Sequence, residues 1–479
     1  MDAAIAIVRQ VNEIVWGPAA WAILLGGGFW LSIKTNFLQI TKFTVWIDLT
    51  IVDMFRKPEN KKAAIHGEGD ITPWQAVNTA FCATMGVGTL VGTANAIAFG
   101  GPGAVFWMWV VGFFGIATKF SEVTLAVHFR QKNEKGEMLS GPFAYMEKGL
   151  GKKWLAVWFA FFGAIAAFGI GNMVQSNSAA FALNHVFGFN RLYIGIVAAI
   201  LIGLVIIGGL KSIAKVVERI IPFLAIMAII SSFLIIITNL GALPESLRLI
   251  FVGAFTSEGL VGGVAGVSIM YAIRLGLARG IFSNEAGLGS APIAYSAAKT
   301  DHPVKQGLWA SFEVFMDTHV MCTLVALAIL ATVPLDVIAP SFFLPGMDPA
   351  LAPGMSGASL VITAYANSFL GPQLGSWLMA FLIGTFGFTT VIGWAFYGEK
   401  CFEYLCGSTK YVMFYRLLML PVCVFGAYGG VALIWALADG FNAFMALPNI
   451  VAIVLLGGTV SKLFNDFFEN KPYEPAVKE

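Results

Sequence analysis

Long apolar stretches alternate along the chain with polar ones. With about 20 consecutive apolar residues taken as enough helix to cross a bilayer, the pattern predicts eleven spans. They lie near 14–33, 74–99, 103–128, 154–187, 192–209, 219–240, 260–298, 307–333, 373–398, 411–436 and 441–461. Several exceed the minimum, which predicts tilted or broken helices.

The polar loops carry an orientation, because lysine and arginine gather on the cytoplasmic side of membrane proteins. The loop after the first span holds Lys34, Lys42, Arg56, Lys57, Lys61 and Lys62, and the loop after the third holds Arg130, Lys132, Lys135, Lys148, Lys152 and Lys153. With this span count the same side receives Lys211, Lys215 and Arg219, then Lys299 and Lys305, then Lys400 and Lys410, and finally Lys462, Lys471 and Lys478. Arg9, Arg191 and Arg248 fall on the other. The amino terminus is therefore expected outside and the carboxyl terminus in the cytoplasm. Met1 to Val15 carries Asp2, Arg9 and Glu13, and no small-residue cleavage pattern comes after it, so the first stretch reads as a membrane helix rather than a removed signal.

Composition narrows the class. Of 479 residues, 58% are hydrophobic and 12% charged, against about 25% charged in ordinary soluble domains. The expected fold is an all-α polytopic protein of the cell membrane, with the lipid bilayer as its first partner. A net charge of +2 divided among short loops leaves no nucleic-acid footprint. Cys82, Cys322, Cys401, Cys406 and Cys423 lie in or beside apolar segments without zinc-ligand spacing, and read as small hydrophobes with free thiols.

Two motifs stand out within the spans. The second span opens on Thr72-Pro73, a hydroxyl N-cap followed by proline. Thr84-Met85-Gly86-Val87-Gly88-Thr89 then falls roughly 18 Å further along, near mid-membrane. Small residues in membrane helices serve close packing. They also let a helix unwind, which is tolerated only where protein or a water-lined cavity satisfies the freed backbone groups. The seventh span repeats the motif in Phe282-Ser283-Asn284-Glu285-Ala286-Gly287-Leu288-Gly289-Ser290. Each motif is followed by one span, a long polar connection (130–153 and 334–372) and three more spans, with the first connection inside and the second outside.

This arrangement predicts two inverted five-helix repeats. Residues 71–240 form the first, broken at 84–89, and 241–462 the second, broken at 282–290. An extra helix and basic loop (1–70) precede them, and a cytoplasmic tail (463–479) completes the chain. Such repeats are the pattern of secondary transporters, with the site at the two breaks. Freed N–H groups attract a carboxylate and freed C=O groups coordinate a cation, so facing breaks suit Na+ and a small zwitterionic amino acid. Gly287 forms the second lip of that site.

Other spans add candidates. Phe168, Asn172, Gln175 and Ala179 are spaced 4, 3 and 4, hence on one helical face, which suits either substrate contact or helix–helix hydrogen bonding. The Phe386 carbonyl with the Thr389 and Thr390 hydroxyls makes a hard-oxygen set for Na+, walled by Trp394; threonines bonded back to their own helix are the competing reading. Glu285 is expected to pair with Arg274 or Arg279, and Lys119 and Glu122, three apart near the cytoplasmic end of the third span, read as a helix-face pair or a gate contact. Asp317 and His319 could relay a proton, although neither lies on a broken helix.

Gly100-Gly101-Pro102-Gly103-Ala104-Val105-Phe106-Trp107-Met108-Trp109 and Arg279-Gly280-Ile281-Phe282-Ser283-Asn284-Glu285-Ala286-Gly287-Leu288-Gly289-Ser290-Ala291-Pro292 resemble the hallmark motifs of the alanine or glycine:cation symporter family. The similarity runs from about Gly69 to Lys462. That family is similar in fold to the leucine-transporter-like carriers, and the resemblance implies Na+-coupled uptake of alanine or glycine by alternating access, with no organic cofactor. It implies substrate contacts at Thr84, Gly86, Val87, Gly88, Thr89, Gln175, Phe282, Ser283 and Trp394. It also implies Na+ ligation by the carbonyls of Cys82, Met85 and Phe386 and the hydroxyls of Thr389 and Thr390. Many relatives read Gly-x-Gly-Asn where this chain ends in Thr89, so a shorter hydroxyl replaces an amide ligand. An H+-coupled or exchanging carrier of the same fold is the alternative and would require Glu285 or Asp317 to titrate. A channel would want rings of like polar groups, and an enzyme a catalytic cluster that no span contains.

Overall fold

A computed structural model describes residues 12, 15–56, 67–256, 268–338 and 357–476. Arg9, Lys57, Lys61, Lys62 and Lys478, the amino-terminal stretch with Asp2 and Glu13, the predicted start of the seventh span and most of the second long connection lie outside the described residues. Membrane-length helices dominate the described residues. α1 is Pro18–Lys34. The second span is a bent pair, α2 (Pro73–Thr84) and α3 (Gly88–Gly100), meeting at 44°. α4 is Ala104–His128, α5 Lys153–Phe187, α6 Arg191–Ile206, α7 Gly209–Thr238 and α8 Leu243–Phe255. α9 (Ser268–Asn284) and α10 (Ala291–Tyr295) flank the second break. α11 is Pro303–Thr332, α12 Gly357–Ala366, α13 Gly371–Cys406, α14 Val412–Tyr428, α15 Val431–Leu455 and α16 Gly457–Phe468.

Among the described residues six helices are long and apolar enough to cross a membrane, and two bent pairs raise this to eight. Several boundaries differ from the hydropathy reading. α7 begins at Gly209, well before residue 219, because Ile213, Ala214 and Val217 are buried by helix packing despite Lys211 and Lys215 beside them. The predicted stretch 411–436 stops at Tyr428, where the chain passes through Gly429 and Gly430 into α15. The predicted stretch 441–461 straddles a 59° bend. Beyond it, α16 buries Gly457, Val460, Leu463 and Phe464 on one face. α8 and α12 fill regions read as connections.

Small residues set the central packing. A Cβ on Gly280 would stand 2.4 Å from the Val111 side chain, and one on Gly276 2.4 Å from the Ala104 carbonyl, so α9 lies directly against α4. Likewise Gly163 admits Cys401 and Gly171 admits Trp394, which brings α13 onto α5. α3 begins with a π turn (Gly88–Gly92), and π turns also interrupt α5 (169–173) and α11 (315–322). Single π turns are frequent at functional sites because each re-aims the side chains downstream of it. At the lysine-rich end a hairpin of β1 (Gln131–Lys132) and β2 (Met138–Leu139) succeeds α4. Arg130 donates there to the carbonyls of Ala298 at 2.9 Å and Thr300 at 3.3 Å.

Candidate functional site

The first break is narrower than its sequence motif. A capping box of Thr72 and Gln75 starts α2, and helical bonding ends with Met85 donating to Phe81. The Gly86 amide turns to the Thr84 carbonyl at 2.8 Å, and the Val87 amide donates to Gln175 Oε1 at 3.3 Å. The usual i+4 donors to the Cys82 and Ala83 carbonyls are thereby directed elsewhere. Gly86 and Gly88 do not adopt positive φ; close approach demands them. A Cβ on Gly86 would lie 2.3 Å from Thr390 Oγ1 and 3.4 Å from Gln175 Oε1, and one on Gly88 3.0 Å from the Phe282 ring. Elements from four parts of the sequence therefore meet at Gly86–Gly88.

The second break is conformationally stronger. Glu285, Gly287 and Gly289 have φ of 56°, 92° and 77°, so two of three left-handed positions are glycines, the residue that tolerates them. The Glu285 carboxylate accepts from the Trp394 indole at 2.8 Å and from the Ser290 hydroxyl. It does not make the expected arginine pair; Arg279 stacks on Phe282 one turn back. The expected Lys119–Glu122 pair is corrected too. Lys119 reaches across to Glu313 at 2.8 Å and to the Asn284 carbonyl at 2.7 Å, where the positive charge meets the buried carbonyl end of α9. Three residues on, Glu122 accepts instead from Asn449, which also donates to the Gly287 carbonyl at 2.9 Å.

α11 supplies Asp317, a candidate from the sequence, and Glu313, which the sequence reading did not single out. Glu313 accepts from Thr84 at 2.9 Å, Lys119 at 2.8 Å and Tyr295 at 2.9 Å. Asp317, one turn on, accepts from Thr89 at 2.6 Å and Ser283 at 2.7 Å, and Thr318 adds a bond at 3.1 Å. Both carboxylates are fully buried. The available signal was their i, i+4 spacing in an apolar span, which puts them on one face. Asp317 does not reside on a broken helix, as expected, yet it joins both. His319 stacks on Phe315 instead, away from such a relay.

The other candidates divide. Thr389 and Thr390 both donate to the Phe386 carbonyl, at 3.0 and 2.9 Å, so three buried oxygens converge while the hydroxyl lone pairs stay available. On α5 the predicted stripe splits. Phe168 packs against Tyr415 and Asn172 donates to the Met419 carbonyl, both on α14, whereas Gln175 faces the first break. The π turn at 169–173 adds a residue between them, which rotates the rest of the helix by about 100°.

The sequence model of the sodium:alanine symporter family matches residues 1–478. This chain belongs to that family. It is similar to the sodium/alanine symporter AgcS of Methanococcus maripaludis, at 42% identity over 98% of each chain. It is also similar to the probable sodium/glutamine symporter GlnT of Bacillus subtilis, at 37% identity over 97% of this chain and 92% of the relative. Among solved structures, the transporter MhsT with L-phenylalanine overlays with a TM-score of 0.50 at 15% identity, covering 83% of this chain and 89% of the other. A manganese transporter of Eremococcus coleocola overlays at 0.51 and 12%, covering 84% and 88%. Those two likenesses show the shared leucine-transporter-like fold. The chain is a multi-pass membrane transporter, not an enzyme.

Proposed function

We propose that this transporter couples Na+ entry to uptake of a small neutral amino acid, alanine or glycine, by alternating access between the two breaks. The observation that carries the reading is the meeting of Gly86 and Gly88 with Thr390, Gln175 and Phe282. Family membership and the names of the symporter relatives support Na+ as the coupling ion and an amino acid as cargo. Na+ would be held by Phe386, Thr389 and Thr390, with the carbonyls of Cys82 and Met85 across the interface. The substrate would lie along Thr84–Thr89, with Gln175, Phe282, Ser283, Gly287 and Trp394 around it. Phe168 and Asn172 would act behind this shell, bracing α5 on α14. In this reading residues 71–240 and 241–462 are the inverted halves, the amino terminus lies outside and the tail in the cytoplasm.

A second reading, proton coupling, is favoured by one observation. Glu122, Glu285, Glu313 and Asp317 are buried around the breaks, and Lys119 is the fully buried lysine among them. Uncompensated carboxylates at this depth are expensive. A Bacillus subtilis relative at 37% identity carries the name putative sodium/proton-dependent alanine carrier protein.

Counterflow of labelled alanine into liposomes holding the purified protein, with and without a Na+ gradient at fixed pH, separates the two. Uptake that ignores Na+ and tracks a pH gradient would overturn the Na+ assignment, and exclusion of both alanine and glycine would overturn the substrate.

A further inference from the structure

Away from the breaks, a cavity of about 360 Å³ opens at the lysine-rich end of the bundle, between the β1–β2 hairpin, the α6–α7 turn, the end of α13 and the start of α14. Its carboxylates are already engaged. Arg416 forks onto Glu399 at 2.6 and 2.9 Å. Lys400 binds Glu403 at 2.9 Å and Glu137 at 3.4 Å, and Asp70 accepts the Met138 amide at 2.7 Å. Arg416 also donates to the Ile207 carbonyl at 3.0 Å and lies against Gly209, where φ is +69° and a Cβ would meet the guanidinium at 2.9 Å. The cavity wall is thus built and charge-paired.

Three cations remain over. Lys135, Lys211 and Lys410 line the cavity from three separate elements. All three are exposed, and among the described residues none has a carboxylate within 4.0 Å. Immediately beside them the surface turns apolar: Ile207, Tyr411, Met413 and Phe414 are 46%, 50%, 43% and 64% exposed. Cationic groups at the rim of a lipid-facing apolar surface match one ligand chemistry, a negatively charged headgroup carrying acyl chains.

We propose that this cavity binds the headgroup phosphate of an anionic phospholipid, held by Lys135, Lys211 and Lys410, with its acyl chains along Tyr411, Met413 and Phe414. The placement rests on this end of the bundle facing the cytoplasm, where anionic lipid attracts basic segments. Occupancy ties α13, which carries Thr389, Thr390 and Trp394, to α14 and the hairpin, so the lipid stabilises the site-bearing helix without touching the cargo.

The test uses full-length protein in neutral detergent, melted with added phosphatidylglycerol, phosphatidylcholine or inorganic phosphate. Phosphatidylglycerol should raise the wild-type melting temperature by several degrees and phosphatidylcholine should not. Lys211→Gln with Lys410→Gln should lose most of that shift, Lys211→Arg with Lys410→Arg should keep it, and Lys152→Gln with Lys153→Gln, exposed at the same end, should leave it intact. An undiminished shift in the Lys211→Gln, Lys410→Gln protein overturns the site. An equal shift from inorganic phosphate overturns the lipid and leaves a soluble phosphate ligand. Alanine counterflow reports separately on the transport reading, so failure of one does not carry the other.

Discussion

Asp317 accepts the Thr89 hydroxyl on one carboxylate oxygen at 2.6 Å and the Ser283 hydroxyl on the other at 2.7 Å. One side chain thus joins α3 beyond the first break to α9 before the second. Movement of either broken helix relative to α11 must break one of these bonds or carry Asp317 with it. Asp317→Asn keeps the size, removes the charge and places an NH2 donor where one of the two carboxylate oxygens now accepts a hydroxyl. Transport of alanine should fall at least about tenfold, equivalent to about 1.4 kcal/mol, with the melting temperature nearly unchanged. A wild-type rate at every Na+ concentration would reduce Asp317 to a packing element.

Thr390 serves two purposes at one atom. Its hydroxyl bonds Phe386 at 2.9 Å and occupies the position that a Gly86 side chain would need. Thr390→Val is nearly isosteric, so it should raise the half-saturating Na+ concentration while the protein still folds and inserts. Gly86→Ala should abolish uptake, because a Cβ 2.3 Å from Thr390 Oγ1 forces the break away from α13. Sodium titrations of uptake check the first, and uptake beside a detergent melt checks the second. An unaltered Na+ dependence in Thr390→Val would remove that hydroxyl from the ion site.

Legibility from sequence tracked the physics. The broken helices were readable from the pair rather than from either motif: a single Gly-x-Gly with flanking hydroxyls also suits close helix packing, and its repetition in a second half of opposite orientation favours the break. The partners of the ionisable residues were not readable. Lys119 and Glu122 are neighbours on one helix face, yet burial favours the partner with the better geometry, and Lys119 finds Glu313 from a helix nearly two hundred residues away. The α5 stripe failed for another reason: periodicity assumes 3.6 residues per turn, and the π turn at 169–173 breaks that assumption between Asn172 and Gln175. Hydropathy located most helices but misplaced ends such as that of α7, since packing against neighbours buries segments that transfer energy alone would leave in a loop.

The Lys119–Glu313 pair is fully buried on both sides, at 2.8 Å. Removing one partner leaves an uncompensated charge at membrane depth, a loss of about 3–5 kcal/mol. Lys119→Met should therefore lower the detergent melting temperature sharply, and Lys119→Met with Glu313→Gln should recover part of the loss. If the double variant melts no higher than the single one, the pair does not act as a unit and the cost lies in packing.

His302 caps α11 by accepting the Val304 amide at 3.2 Å on Nδ1, and its ring packs against Phe467 and Tyr473 at 4.8 and 5.0 Å. Burial lowers its pKa from 6.5 to about 4, with Asp301 and Asp466 opposing and Lys305 and His128 adding to the effect. Because the folded value lies below the unfolded one, the neutral ring's contribution is fully present above about pH 6.5 and is lost as pH falls toward 4. Acidification from pH 7.5 to 5 should lower the melting temperature, since the unfolded ring takes up a proton there while the folded ring, with its pKa near 4, stays largely neutral and keeps the cap. His302→Asn retains a capping oxygen without a titratable ring, so its pH 7.5-to-5 decrement should be smaller than that of the wild type. An equal decrement in both proteins would place the acid sensitivity elsewhere.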